Sequence, residues 1–297
     1  MKLEQFLSQS ATREVSNVVT AVAAASIVVW ESIPANTGLL SQVNPSGEKQ
    51  TAIDVVANDS FVEALRGTGS VAEVASEEMD VPARGGGKLS ISMDPLDGSS
   101  NIETNNPVGS IFGVYNKTLP ASGSALVASA FVTYGPMVTL TLSLGSGVYR
   151  FVATREGSSY DYQLMDQGLR MPDRSGVYGF GGLRREWTPG VRKFVETLEE
   201  RGTKLRYCGT FVGDYNQLLK HGGIFSYPAL KQKPRGKLRI LYETAPIAFI
   251  TRQAGGLSSD GVHDILDLEP KTLAETSPAY IGSPSVVREL EAALAEG

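Results

Sequence analysis

The stretch ISMDPLDGSSNIETNNPVGSIFGVY, residues 91–115, sets Asp94 and Asp97 three positions apart around a Pro-Leu pair, then runs directly into Gly98, Ser99, Ser100 and Asn101. A turn alone uses only part of that pattern, because Pro, Asp and Gly are ordinary turn formers. Two carboxylates beside a run of small residues suit a site that holds cations and a phosphate together. Hard cations such as Mg²⁺ take oxygen ligands, and metal ions near a phosphoryl group activate water and neutralise developing charge. A glycine without a Cβ lets a phosphate approach the backbone. The N–H groups at the start of a helix or turn, capped by Ser99 or Ser100, bind anions. Further acids stand at Glu48, Asp54, Glu77, Glu78 and Glu243. Each alone reads more simply as a solvated charge at a helix start or strand end; together they have the count that two or three clustered cations require.

The elements that must position these groups follow from periodicity. Leu89, Ile91 and Met93 alternate along a strand that delivers Asp94 to its C-terminal end, the edge where open α/β sheets bind ligands. VAEVASEEM is a strand ending on Glu77 and Glu78. Residues 14–31 and the EKQTAIDVVANDSFVEALRG stretch read as helices, the first ended by Pro34 and the second by Gly67. Strands follow at VGSIFGVY and ALVASAFVTYG, then a hairpin with its turn near Gly145–Gly147. Between Arg155 and Arg174 the chain is polar and reads as a loop, which divides an α/β half, 1–170, from a second, 171–297. In the second half, helices are expected at GVRKFVETLEERG, FVGDYNQLLKHGG and PSVVRELEAALAE, and KLRILYETAPIAFITRQAGG reads as a strand leading into a helix. Interleaved strands and helices predict a layered α/β protein.

Composition narrows the function. The 297 residues carry a net charge of −5, so no broad basic face for nucleic acid is expected. Two histidines, His221 and His263, exclude a His-rich metal site, and carboxylate ligands favour Mg²⁺, or Mn²⁺, over zinc. The single cysteine, Cys208, excludes intrachain disulfides and fits a reducing compartment such as the cytoplasm. The apolar run Val18–Trp30 is thirteen residues, too short to span a bilayer, and reads as a buried helix; no membrane partner is expected.

DPLDGSSNI, preceded by SEE and followed by VGSIFGVY, resembles the class 1 fructose-1,6-bisphosphatase family, which includes sedoheptulose-1,7-bisphosphatases. The likeness continues through LRYCGTFVGDYNQLLKHGGIFSYPALKQKPRGKLRILYETAPIAFITRQAGG, and so covers about Glu48 to Gly256. It implies the layered αβαβα sugar-phosphatase fold shared with inositol monophosphatases, and Mg²⁺-dependent hydrolysis of the C1 phosphate of a sugar bisphosphate. By this resemblance the metal ligands are Glu48, Glu77, Glu78, Asp94, Asp97, Glu243 and the Leu96 carbonyl. Glu78 or Asp54 helps deprotonate the attacking water, Gly98 and Ser99 hold the C1 phosphate, and Arg239 lies near it. Arg206, Tyr207, Tyr227 and Lys237 match positions that bind the sugar and distal phosphate. The residue at Arg206 reaches across from a neighbouring subunit in that family, which implies a homodimer or homotetramer.

The chain departs from the family pattern at YGFGGLRREW, which lacks the Asn and Tyr that fructose enzymes offer the distal phosphate; Arg184 is a candidate replacement. That segment, ETNNPVG and DYNQ look closer to sedoheptulose-1,7-bisphosphatases, whereas GGIFSYPA and GKLRILYE look like the fructose enzymes. Activity on one or both sugars is expected, in gluconeogenesis or a pentose-regenerating cycle. Two other readings share the acid cluster. A monophosphatase of the inositol type has no need for Arg206, Tyr207, Tyr227 and Lys237 together, and a non-catalytic sugar-phosphate binder would be expected to have lost acids that this chain retains.

Overall fold

The computed structural model describes residues 1–43 and 49–296. Helix Arg13–Ser32 opens on Thr12, whose hydroxyl accepts from the Val15 N–H. Val15, Val18, Val19, Val22, Ala25 and Val29 form its buried face. The helix is longer than the thirteen-residue apolar run and, at Arg13–Ala35, long and apolar enough by length and composition to cross a membrane. In this fold its buried face belongs to a core shared with Leu3–Ser10, Ala52–Gly67 and one face of a large sheet. Helix Ala52–Gly67 is set by a capping box in which Thr51 and Asp54 bond each other's backbone N–H.

The large sheet has eight strands, ordered Ser159–Gln167, Tyr149–Glu156, Val138–Ser143, Leu126–Tyr134, Val108–Tyr115, Leu89–Asp97, Val71–Ser76 and Ala83–Arg84. The second sheet has five, ordered Lys204–Leu205, Val177–Phe180, Gly223–Tyr227, Ala279–Gly282 and Leu257–Ser259. Helices Phe211–His221 and Ala245–Gln253 contribute to a core shared by the two sheets. Helices Pro189–Glu200 and Pro284–Ala295 cover the outer side of the small sheet. The layers therefore run helix, sheet, helix, sheet, helix, the αβαβα arrangement that the family resemblance implies.

Two segments differ from expectation. The polar stretch taken for a loop contains strand Ser159–Gln167, which pairs with Tyr149–Glu156 and edges the sheet. Its polar residues face solvent, while Tyr162 is buried and exchanges a 2.7 Å hydrogen bond with Ser26. The period-two row Tyr160, Tyr162, Leu164 was the hidden strand signal. The segment Lys237–Glu243, expected as a strand, makes only one bridge, Arg239 with Thr276, before Ile240–Thr244 closes as a π-helical turn. An apolar run buried on all sides looks the same to periodicity in either form. Here the Arg239 N–H donates to the Glu243 carboxylate at 2.6 Å, which favours the turn.

Candidate active site

The acidic end is assembled by strand direction. Val71–Ser76 and Leu89–Asp97 are parallel neighbours, so they finish at the same edge. Glu77 and Glu78 follow the first; Asp94 and Asp97 lie near the end of the second. Asp94 pairs with Ile111 and Asp97 with Gly109, so three steps on one strand oppose two on the other. This bulge sits at Pro95, which has no N–H to give a ladder, and re-aims the carboxylates on either side of it. Glu243 arrives from the π turn, a deformation frequent at functional sites. Asp54 arrives from the first turn of Ala52–Gly67. All six acids, with Leu96, line a cavity of about 470 Å³. Glu48 lies outside the described residues.

These groups are buried and crowded. Burial holds the Asp94 carboxyl well above the usual carboxylate range, and the neighbouring charges of Glu77, Asp97 and Glu243 push it further. Burial raises Asp97 to about 7, against the lowering effect of N–H groups from Val212 and Phe211. Arg239 offsets part of this charge, with Nη1 2.6 Å from Glu77 and 3.6 Å from Glu243. Among the described residues, no three ligating side chains stand at coordination spacing around one point. The donors are nevertheless all oxygen, and a buried cluster that raises its own pKa values is a site that a divalent cation would relieve. Glu77, Glu78, Asp94, Asp97, Glu243 and the Leu96 carbonyl thus fit a hard cation.

The small-residue loop has a different internal logic from the one its composition implies. Gly98 is left-handed, at φ 76° and ψ 33°, as only glycine adopts freely. A Cβ there would strike the Thr210 side chain, so Gly98 serves the contact between two chain segments as well as backbone access. Ser99 and Ser100 line the cavity but make no capping bond to the 3₁₀ turn Ser99–Thr104, contrary to expectation; the cap position is occupied by Gly98. Asn101, expected as a substrate contact, does not line the cavity. Its amide donates to the Pro107 carbonyl at 3.2 Å and the Cys208 carbonyl at 2.7 Å. Asp54 is also engaged: its Oδ2 accepts from the Thr51 N–H at 2.6 Å and hydroxyl at 2.8 Å.

The same cavity is also lined by Tyr207, Tyr227 and Lys237. Tyr207 stacks on Phe225 at 6.5 Å and 6° between ring planes, and the Lys237 ammonium lies 6.0 Å over the Tyr227 ring. Arg206 points elsewhere, with its guanidinium on the Leu205 carbonyl, and is not part of this chain's own cavity wall. Arg184, the candidate for a distal contact, pairs with Glu196 and Glu199, lies over Trp187 and does not line this cavity. Residue-by-residue reading missed Glu103, Thr210 and Asp214, which also line it. Thr210 and Asp214 flank the start of helix Phe211–His221, a cap-and-acid pattern visible in the sequence but read only as helix punctuation.

Comparison with known proteins gives a consistent picture. Residues 2–165 match the family model described as fructose-1-6-bisphosphatase, N-terminal domain, and residues 171–295 that for the C-terminal domain. The class 1 fructose-1,6-bisphosphatase of Natronomonas pharaonis is 43% identical over 253 residues, covering 84% of this chain and 88% of the relative. That of Haloarcula marismortui is 38% identical over 282 residues, 95% of each chain. The crystal structure of Leishmania major fructose-1,6-bisphosphatase in holo form superposes with a TM-score of 0.93 at 29% identity, covering 100% of this chain and 99% of that one.

Proposed function

The chain belongs to the class 1 fructose-1,6-bisphosphatase family, and on that premise we propose that its cavity takes a sugar bisphosphate and hydrolyses the C1 phosphate with Mg²⁺, or Mn²⁺ in its place. The enzyme is a phosphoric monoester hydrolase, and fructose 1,6-bisphosphate is its first candidate substrate. Sedoheptulose 1,7-bisphosphate is a second, suggested by the FGGLRREW segment. The observation that carries the reading is the double lining of one cavity: the acids with Arg239, and beside them Tyr207, Tyr227 and Lys237. A molecule with one phosphate needs only the first set.

When bound, the cation supplies charge neutralisation at the phosphoryl oxygens and a more acidic water. The chain's own groups do the rest. Gly98 and Ser99 present backbone N–H groups to the C1 phosphate, and Arg239 adds positive charge beside it. Glu78 or Asp54 takes the proton of the attacking water; each already accepts a hydrogen bond, Glu78 from the Gln50 amide and Asp54 from Thr51. Lys237, Tyr207 and Tyr227 orient the far end.

Phosphate release from the two bisphosphates, as kcat/KM with and without Mg²⁺, tests the reading. Release from either that requires a divalent cation supports it, and the ratio ranks the sugars. Equal turnover of a sugar monophosphate would instead favour a monophosphatase. The position of Arg206 outside its own cavity supports a site completed by a neighbouring copy in a homodimer or homotetramer. Mixing inactive Asp97→Ala subunits with Arg206→Ala subunits tests this: shared sites recover activity above the sum of the separate proteins, self-contained sites do not.

A further inference from the structure

The cavity wall from Tyr207 to Thr210 has no regular structure. It joins the edge strand Lys204–Leu205 to helix Phe211–His221, yet Tyr207, Gly209 and Thr210 all line the cavity. Such a wall needs attachments other than a ladder. Both backbone polar groups of Cys208 are taken by side chains, from opposite sides. The Asp214 Oδ1 accepts from the Cys208 N–H at 2.9 Å, and the Cys208 carbonyl accepts from Asn101 at 2.7 Å. Space is tight below the wall, since a Cβ on Gly213 would stand 2.6 Å from the Cys208 sulfur and from the Thr210 hydroxyl. Asp214 is buried; the Gly209 N–H, like that of Cys208, favours its charged form, yet its Oδ2 makes no well-aligned hydrogen bond among the described residues. A buried carboxylate with one oxygen unsatisfied is costly, and such a group calls for an explanation. Helix stability does not provide one, because Thr210 already caps the helix and Asp97 accepts from its Val212 N–H at 2.7 Å.

We propose that Asp214 is a positioning residue for the sugar-facing wall. Acting through the Cys208 N–H, and opposed by Asn101 on the Cys208 carbonyl, it holds Tyr207 and Gly209 in register with the phosphate loop. Asp97 has its own attachment to Val212, so Asp214 governs the grip on the sugar more than the rate of phosphoryl transfer.

The proposal rests on the sugar-bisphosphatase reading, and wild-type turnover of fructose 1,6-bisphosphate with Mg²⁺ is the control; its failure sinks that reading instead. Asp214→Ala is expected to raise KM about tenfold or more while kcat stays within about threefold. Asp214→Asn keeps an oxygen for the same N–H, and its KM should remain within about threefold of wild type. A KM unchanged in Asp214→Ala, or a loss of kcat alone in proportion to lost folded protein by thermal unfolding, overturns the proposal. If Asp214→Ala does not fold, Asn101→Ala releases the other side of Cys208. A KM rise with kcat retained supports the clamp, and an unchanged KM overturns it.

Discussion

The two sets of residues that line the cavity are built by opposite means. The acidic end hangs on regular structure: two parallel strands, a bulge, a capping box and a π turn aim its carboxylates, and most are buried. The other set, proposed to meet the sugar and here called the sugar end, hangs on an irregular wall, a stacked tyrosine and one lysine over a ring, and Tyr207 is 47% exposed. Charge that must be held against its own repulsion needs a rigid frame. Groups that select a polyhydroxy substrate can sit on segments that vary in sequence without disturbing the chemistry.

The largest effect should come from the acidic end. Asp97→Ala should lower kcat by about 10³-fold with the fold retained, measured as phosphate release alongside circular dichroism. A variant that retains turnover would break the contrast. The Gly98→Ala change should destabilise the protein by about 2–4 kcal/mol in denaturant unfolding, from left-handed strain and the collision with Thr210. At the sugar end, Lys237→Gln should raise KM by about 10–100-fold and leave kcat nearly intact, if it meets a phosphate. Arg184→Gln should change kcat/KM by less than about twofold, because its partners are exposed carboxylates outside the cavity.

The buried acids also predict a pH response, to which Asp97 among the acids and Asp214 behind the wall, raised by burial to about 6, both contribute. Asp97 titrates near 7, above its ordinary value of 3.8. The folded metal-free protein therefore binds more protons than the unfolded chain between those values, and the contribution of this group to stability falls as pH rises through about 7. Thermal unfolding of metal-free protein should shift downward from pH 5.5 to pH 8, and Mg²⁺ should restore it mainly at pH 8. An equal response at both values would remove Asp97 from the cation site.

Much of the acidic end was legible in the sequence, because its information is local. Alternation placed Asp94 at a strand's end, and DPLDGSSN announced a bend with small residues after it. The capping role of Asp54 was also local, written in the Thr51–Asp54 spacing, but composition alone does not say whether a helix-start acid caps or catalyses. The sugar end was legible mainly through family resemblance. Arg184, exposed beside Glu196 and Glu199, and Asn101, turned onto two carbonyls, show why: a side chain's direction depends on partners far along the chain. The strand Ser159–Gln167 was hidden for a related reason, since an edge strand carries polar residues that imitate a loop.

By itself, the sequence determined which chemistries were available: oxygen ligands without a histidine cluster, a backbone cradle at Gly98, helices with their caps, and alternation for the strands. These depend on residue type and on neighbours a few positions away. The tertiary structure decided which groups meet. Parallel pairing brings Glu77 beside Asp94, the π turn carries Glu243 to both, and the start of helix Phe211–His221 reaches back 115 positions to bond Asp97. Buried carboxylates acquire their pKa values from that meeting, because desolvation and mutual charge exist only once the chain is packed.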